Sequence, residues 1–327
     1  STHCISSAAS DVYKRQAIEK GIKKVDLEAE VVIKPLADGG EGTVDALVDG
    51  MGGNMKFIKV TGPTGKPVLA KYGIIRPANP DMEEASTAIM EMSQAAGITQ
   101  VTDKERNPLY TTTYGVGQMI VDAIHKGCRR FIMGIGGSAT NDGGVGMLQA
   151  LGYDFLDKDG NQIKHGAIGL KDLVQIKNDK AIPELKDCEF HIACDVTNPL
   201  CGEQGCSVIF GPQKGATEQM IKDMDHWLAD YAKIAKESFT KADADKPGTG
   251  AAGGLGFAFL TFTNATLKSG VDLILHETKL EEEIKDADIV ITGEGCLDAQ
   301  TAMGKAPIGV ATVSYTHLRA HETKANL

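Results

Sequence analysis

The chain has 327 residues, enough for two domains of ordinary size. Hydrophobic residues make up 42% and charged residues 24%, and the net charge is −10; this acidity argues against nucleic acid or an anionic membrane as the main partner, since both require basic patches. No apolar run approaches the roughly 18 residues that span a bilayer, the first residues lack a signal-peptide core, and the seven cysteines, scattered without a CxxC pair, read as reduced buried thiols, so the expectation is a cytoplasmic protein.

In chain order, residues 1–16 show no helix or strand period and 17–25 read as the end of an amphipathic helix. Val31–Ile33 predicts a short buried strand. A loop, ADGGEGT, leads into a helix from Thr43, and Lys56–Val60 reads as a strand. TGPTGKP, beginning at Thr61, is turn chemistry and a candidate crossover between domains. Lys71–Arg76 and Thr87–Glu91 predict strands. Thr112–Lys126 predicts a helix, with Val116, Ile120 and Ala123 on one face and Gly127 as its stop. Arg130–Ile135 predicts a strand feeding a glycine-rich loop, and Val145–Leu151 the helix after it. A hairpin with its turn at Asp159-Gly160 spans Phe155–Ile163. Glu189–Cys194 and Ser207–Phe210 read as short strands, Glu218–Lys236 as a long helix and Ala251–Phe259 as an apolar one. Asp288–Thr292 has the composition of a buried parallel strand, and a helix is expected to begin near Ala302. Strand, loop and helix in repeated order make an α/β fold. Residues 313–327 also lack a core face, and both end stretches are set aside as tails that resemble translated adapter sequence.

Chemistry concentrates in five glycine-rich loops. The sharpest is GIGGSATNDGG, residues 134–144, which leaves a strand and enters a helix. Gly136 and Gly137 free the backbone amides, while Ser138, Thr140, Asn141 and Asp142 supply side-chain oxygens and caps. The segment reads as a phosphate or carboxylate cradle, or as a well-capped tight turn. TGEGCLDAQTAMGK (292–305) follows a predicted strand. Its Glu294 and Asp298 suit Mg²⁺, Gln300 and Thr301 suit a ligand, and Lys305 suits a phosphoryl oxygen as a point charge. Asp38, Gly39, Gly40 and Glu41 in the ADGGEGT loop read either as ligand contacts or as helix capping. In CDVTNPLCGEQGCSVIFGPQKG (194–215), Asp195 is placed to orient or deprotonate a substrate hydroxyl. Asn198 forces a turn there, and Lys214 sits in a second tight loop. Finally, GTGAAGGLG (248–256) carries a GxGxxG pattern through Gly248, Gly250 and Gly253, with Gly254 beside it, but no strand precedes it, so it is a weak dinucleotide signal. No P-loop and no GxSxG occurs.

These loops, in this order, resemble the type-1 glycerate kinase family. The matching strings are LADGGEGT (36–43), RNPLYTTTYGVG (106–117), GIGGSATNDGG (134–144), CDVTNPLCG (194–202), FGPQKGAT (210–217), GTGAAGGLG (248–256) and TGEGCLDAQTAMGKAPIGVA (292–311). The resemblance implies two α/β domains: a discontinuous flavodoxin-like one at 17–62 and 286–312, and a second α/β domain, 63–285, inserted in it. It implies phosphorylation of D-glycerate by ATP with Mg²⁺, commonly at the 2-hydroxyl. Residue chemistry and motif position suggest Asp195, Lys305 and Asp298 for catalysis and Glu294 with Asp298 for the metal. The other loop residues named above would bind substrate or nucleotide. Family members begin with a strand and a loop like APDSFKGS, which this chain lacks, so a fragment with missing strands is expected. Two rival readings are a Mg²⁺-dependent phosphatase or sugar-acid phosphate lyase on a similar scaffold, and a module that binds glycerate or ATP without turnover. Oligomeric state has no signature in the sequence.

Overall fold

The computed structural model describes residues 8–33, 42–77, 85–285, 287–292 and 309–312. Its strands in chain order are β1 (Asn54–Thr61), β2 (Pro67–Ile75), β3 (Ser86–Glu91), β4 (Cys128–Gly134), β5 (Asp154–Leu156), β6 (Gln175–Lys177), β7 (Glu189–Ala193) and β8 (Asn264–Lys268). Its helices are α1 (Ala8–Val25), α2 (Thr43–Gly50), α3 (Ser93–Ala96), α4 (Tyr114–His125), α5 (Val145–Ala150), α6 (Ala167–Leu170), α7 (Cys206–Phe210), α8 (Glu218–Ser238), α9 (Ala251–Phe262), α10 (Gly270–Glu277) and α11 (Leu280–Ile284).

Six strands form one sheet in the order β1-β2-β3-β4-β7-β8, and β5-β6 is a separate pair. The run β3, β4, β7, β8 is parallel. β1 and β2 are an antiparallel hairpin added at one edge. The inner strands β3, β4 and β7 bury apolar residues on both faces because helices cover both sides of the sheet. On one face Phe131, Met133, Phe190 and Ile192 meet α4, α5, α8 and α9 in the main core. On the other, Ile89, Ile132 and Ala193 meet Val44, Leu47 and Val48 of α2 and Leu273 and Ile274 of α10. Phe131 and Phe190 stack across β4 and β7 with ring centroids 4.6 Å apart; burying each ring stabilises the fold by roughly 1.5–3 kcal/mol. The α/β class and a mostly parallel sheet are as the sequence predicts. No described helix is long and apolar enough to cross a membrane.

Several local expectations are corrected. Residues 8–16, read as lacking a period, belong to α1. Val31–Ile33 is not a strand: Val32 is 59% exposed, and no described strand lies beside it. The run 288–292 likewise forms no strand with the described residues. Its Val290 turns onto a small cluster with Val271, Leu275 and Val310, while Ile289 and Ile291 face outward. A β-branched run becomes a buried strand only where a neighbour supplies a ladder. The predicted strand Ser207–Phe210 is helix α7, with Ser207 buried and Val208 and Ile209 at the surface. TGPTGKP forms the turn of the β1-β2 hairpin, with Gly62 N–H donating to the Lys66 carbonyl at 2.7 Å, so the chain stays in the same sheet there.

One ion pair ties α10 to the sheet. Both Arg130 terminal nitrogens donate to Glu277, at 2.6 Å each, and Glu277 is buried. Burial pushes the Glu277 carboxyl up, but the Arg130 bonds and His276 outweigh it and hold it below its ordinary value. A folded-state value below the unfolded one contributes stability that is full above about pH 4.5 and is lost as pH falls through the folded value. Glu277→Gln should therefore lower stability near pH 7 by roughly 2 kcal/mol, since Arg130 is left half-solvated rather than fully stranded. It should also flatten the acid limb of the stability curve. Urea unfolding between pH 3 and pH 7 measures both effects, and an unchanged acid limb contradicts the assignment.

Candidate active site

The carboxyl ends of the parallel strands lie level: Glu91 pairs with Gly134, Gly134 with Ala193, and Ala193 with Lys268. The loops leaving those strands therefore gather along one edge, where open α/β sheets hold ligands. Three of the motifs singled out in the sequence meet there, and α2 brings in the end of a fourth.

The loop after β4 divides into two parts. Gly136 and Gly137 form its outer turn, and both are exposed. A side chain added at Gly136 would meet no atom within 4 Å, so this stretch of backbone faces open space. The remainder is framework. Ala139 N–H donates to the Ala96 carbonyl at 2.9 Å, and Ile98 N–H to the Gly137 carbonyl at 2.8 Å. Ser138, Thr140, Asn141 and Asp142 are all buried. Asp142 accepts from Thr113 N–H at 2.8 Å, from Thr113 Oγ1 at 2.9 Å and from Gly144 N–H at 3.2 Å. Burial pushes the Asp142 carboxyl up against these donors. Asn141 Nδ2 donates to Ser207 Oγ at 2.8 Å. Lys214, expected to face a ligand, is buried instead, and its Nζ donates to Ser138 Oγ and the Thr140 carbonyl.

The GxGxxG segment serves this loop as a wall. Ala252, Gly253 and Gly254 have φ values of 52°, 66° and 92°, a left-handed run that kinks the start of α9. That path lets Gly253 accept from Gly143 N–H at 3.0 Å through its carbonyl. Gly250 N–H donates to the Asn198 carbonyl at 2.9 Å, and Asn198 Nδ2 donates to the Gln204 carbonyl at 2.9 Å. Asn198, Gly250, Gly253 and Gly254 thus brace one loop against another.

Asp195 is placed differently. It lies two residues beyond β7 and is exposed. Its Oδ1 accepts from Gly270 N–H at 2.9 Å, at the start of α10, which fixes the side chain while leaving the carboxylate in reach of solvent. β7 is the direct neighbour of β4, so Asp195 and the Gly136–Gly137 turn leave adjacent strands.

A residue the sequence reading passed over is Glu91, at the end of β3. It is 3% exposed, and its Oε1 accepts from Val44 N–H, in the first turn of α2, at 3.0 Å. Burial pushes its carboxyl up, against the Val44 amide, Gln94 and Lys71. The available signal was a carboxylate closing an apolar strand at its carboxyl end. Thr113 and Ser207 were missed as well, because their roles depend on buried partners far off in sequence.

Asp38, Gly39, Gly40, Glu41, Glu294, Asp298, Gln300, Thr301 and Lys305 lie outside the described residues. Among the described residues no three His, Cys, Asp or Glu side chains gather as a metal-binding group.

The model of the glycerate kinase family matches residues 6–320, running into both end stretches set aside above, so reading them as foreign is not supported. The chain is 47% identical to a glycerate kinase of Halalkalibacterium halodurans over 90% of its length and 76% of that protein's. It is also 47% identical to the glycerate 2-kinase of Escherichia coli K12, over 94% of its length and 79% of that protein's. A crystal structure described as glycerate kinase 2 of Salmonella typhimurium LT2 superposes with a TM-score of 0.86 at 44% identity, covering 92% of this chain and 79% of that one. With a family model matching nearly its whole length and relatives at this identity, the chain belongs to the glycerate kinase family.

Proposed function

We propose that this protein transfers the terminal phosphoryl group of ATP to the 2-hydroxyl of D-glycerate, giving 2-phosphoglycerate. The observation that carries this reading is the pairing of an exposed, anchored carboxylate, Asp195, with an open glycine turn on the adjacent strand. Phosphoryl transfer is catalysed mainly by positioning and charge neutralisation. Asp195 orients the glycerate hydroxyl and takes up its proton as the new P–O bond forms. The amides of Gly136 and Gly137 receive anionic oxygens of substrate or nucleotide. Asp38, Gly39, Gly40, Glu41, Gln300 and Thr301 complete the binding loops, and Lys305 neutralises charge on the transferring group.

Mg²⁺ would accompany the nucleotide. Such ions are commonly held by one or two carboxylates together with phosphate oxygens and water, a pattern that Glu294 and Asp298 suit and that needs no three-residue cluster. The chemistry it would supply there is neutralisation of phosphate charge. The division into a flavodoxin-like domain, 17–62 with 286–312, and an inserted domain is proposed with one change: β1 pairs with β2, so the boundary is drawn before β1. The free thiols Cys128, Cys188 and Cys206, buried where disulfides do not form, suit a reducing cytoplasm.

The test is ADP formation with Mg·ATP in the presence and absence of D-glycerate, with the product identified by phosphorus NMR. Glycerate-dependent ADP and 2-phosphoglycerate are expected. ATP consumption independent of glycerate would instead support a phosphatase.

A further inference from the structure

Among the described residues of the site, Lys214 is the most deeply buried cation, at 2% exposed. Its Nζ donates to Ser138 Oγ at 2.9 Å and to the Thr140 carbonyl at 2.6 Å. Both acceptors are neutral, and no carboxylate of the described residues lies within 4.0 Å of the ammonium. Lysine is almost never fully buried without a partner charge, because a desolvated ammonium lacking an anion is expensive. Burial pulls the Lys214 ammonium down to about 8, with Cys206 and Asp142 opposing that shift. In the 134–144 loop that accepts these bonds, Thr140 Oγ1 and Asn141 Oδ1 are buried without a hydrogen-bond partner among the described residues. Two unsatisfied polar groups in one loop, with an ammonium lacking a carboxylate partner against it, fit a site that is completed from outside.

We propose that Lys214 is the counter-charge of an anionic group bound on the Gly136–Gly137 turn, so that arrival of a carboxylate or phosphate there fixes the lysine as an ammonium through Ser138 and the Thr140 carbonyl. This rests on the site reading above and adds a proton to it: binding at the turn is coupled to protonation of Lys214. Lys214 is a positioning residue here, acting through the loop and not by touching the substrate. The charged or titratable groups around it are Asp142 from the 134–144 loop, Cys206 from α7, and Arg106, whose backbone packs on Gly215. Asp142 is engaged by Thr113 and loop amides. Cys206 is pushed up to about 12 by burial and is neutral at pH 8.

The experiment is calorimetric titration of the full chain at pH 8.0 in Tris and in HEPES, whose ionisation enthalpies differ. D-glycerate and a non-hydrolysable ATP analogue are titrated separately, so that carboxylate and phosphate are distinguished. One of the two ligands should bind with uptake of about half a proton at pH 8.0, falling towards zero near pH 6.5 where the lysine is already charged. Lys214→Met, matched in volume, should abolish the uptake and weaken that same ligand by about tenfold or more, leaving the other unchanged. A purely structural lysine gives no uptake in the wild type, and that result for both ligands overturns the proposal even if the Met variant does not fold. Equal uptake in Lys214→Met overturns it too. Failure of both ligands to bind would overturn the underlying site reading, and this proposal with it.

Discussion

Replacing Asp195 with Asn should lower the glycerate-dependent kcat by about 10²–10⁴-fold, the range for loss of a positioned general base, with the melting temperature nearly unchanged. The two halves of this expectation have separate causes. Asp195 is exposed, and its one described hydrogen bond runs from Gly270 N–H to Oδ1. Asn keeps an acceptor oxygen of the same shape, so the anchor on α10 survives, and exposed substitutions of this kind stay within about 0.5 kcal/mol. Asn lacks the basic lone pair that takes the hydroxyl proton. The loss therefore falls on the transition state, and kcat drops more than KM rises. Steady-state kinetics with a thermal melt on the same preparation decide it. A variant with near-normal kcat, or one that loses folding in step with activity, would remove Asp195 from the catalytic role.

The parallel core was legible because β4 and β7 are compact apolar runs, each followed at once by loop chemistry, and helices such as α4 and α8 carry an unmistakable period. The same apolar signal misled at Val31–Ile33 and Asp288–Thr292. Strand pairing is a property of two segments, and one segment cannot report whether its neighbour is present. Ser207–Phe210 failed for a related reason: Val208 and Ile209 favour a strand, but burial of Ser207 against Asn141 decides the backbone there. At the candidate site, the positions of Asp195 and the glycine turn just past β7 and β4 were readable because each follows its strand directly in the sequence. Lys214 and Glu91 were not, since what matters about them is what lies across the fold. A lysine in a tight loop looks solvated until Ser138 and Thr140 close over it. The GxGxxG pattern illustrates the same limit. Its spacing is that of a ligand loop, but its glycines are needed by the neighbouring protein backbone.

That need gives the largest expected effect on stability, which falls at Gly253. Its φ is +66°, and a β-carbon there would sit 2.1 Å from the Thr140 carbonyl oxygen and 2.7 Å from Asn141 Cα. Both obstacles are backbone of the loop that carries Gly136 and Gly137, so relief requires moving that loop. The left-handed conformation alone costs alanine about 1–2 kcal/mol, and forced overpacking adds about 1–3 kcal/mol. Gly253→Ala should therefore destabilise by about 2–5 kcal/mol, which lowers the melting temperature by on the order of 10 °C, and kcat/KM should fall as well. Gly160 supplies the control. It has a φ of +79° but nothing within 4 Å of its β position, so Gly160→Ala bears the conformational cost alone, with activity intact. Comparing the two variants separates strain from contact. If they melt together, the close approach of the α9 opening to the Gly134–Gly144 loop is not what holds the site in shape. If only Gly253→Ala falls far and loses activity with it, the wall formed by that opening is part of the catalytic geometry.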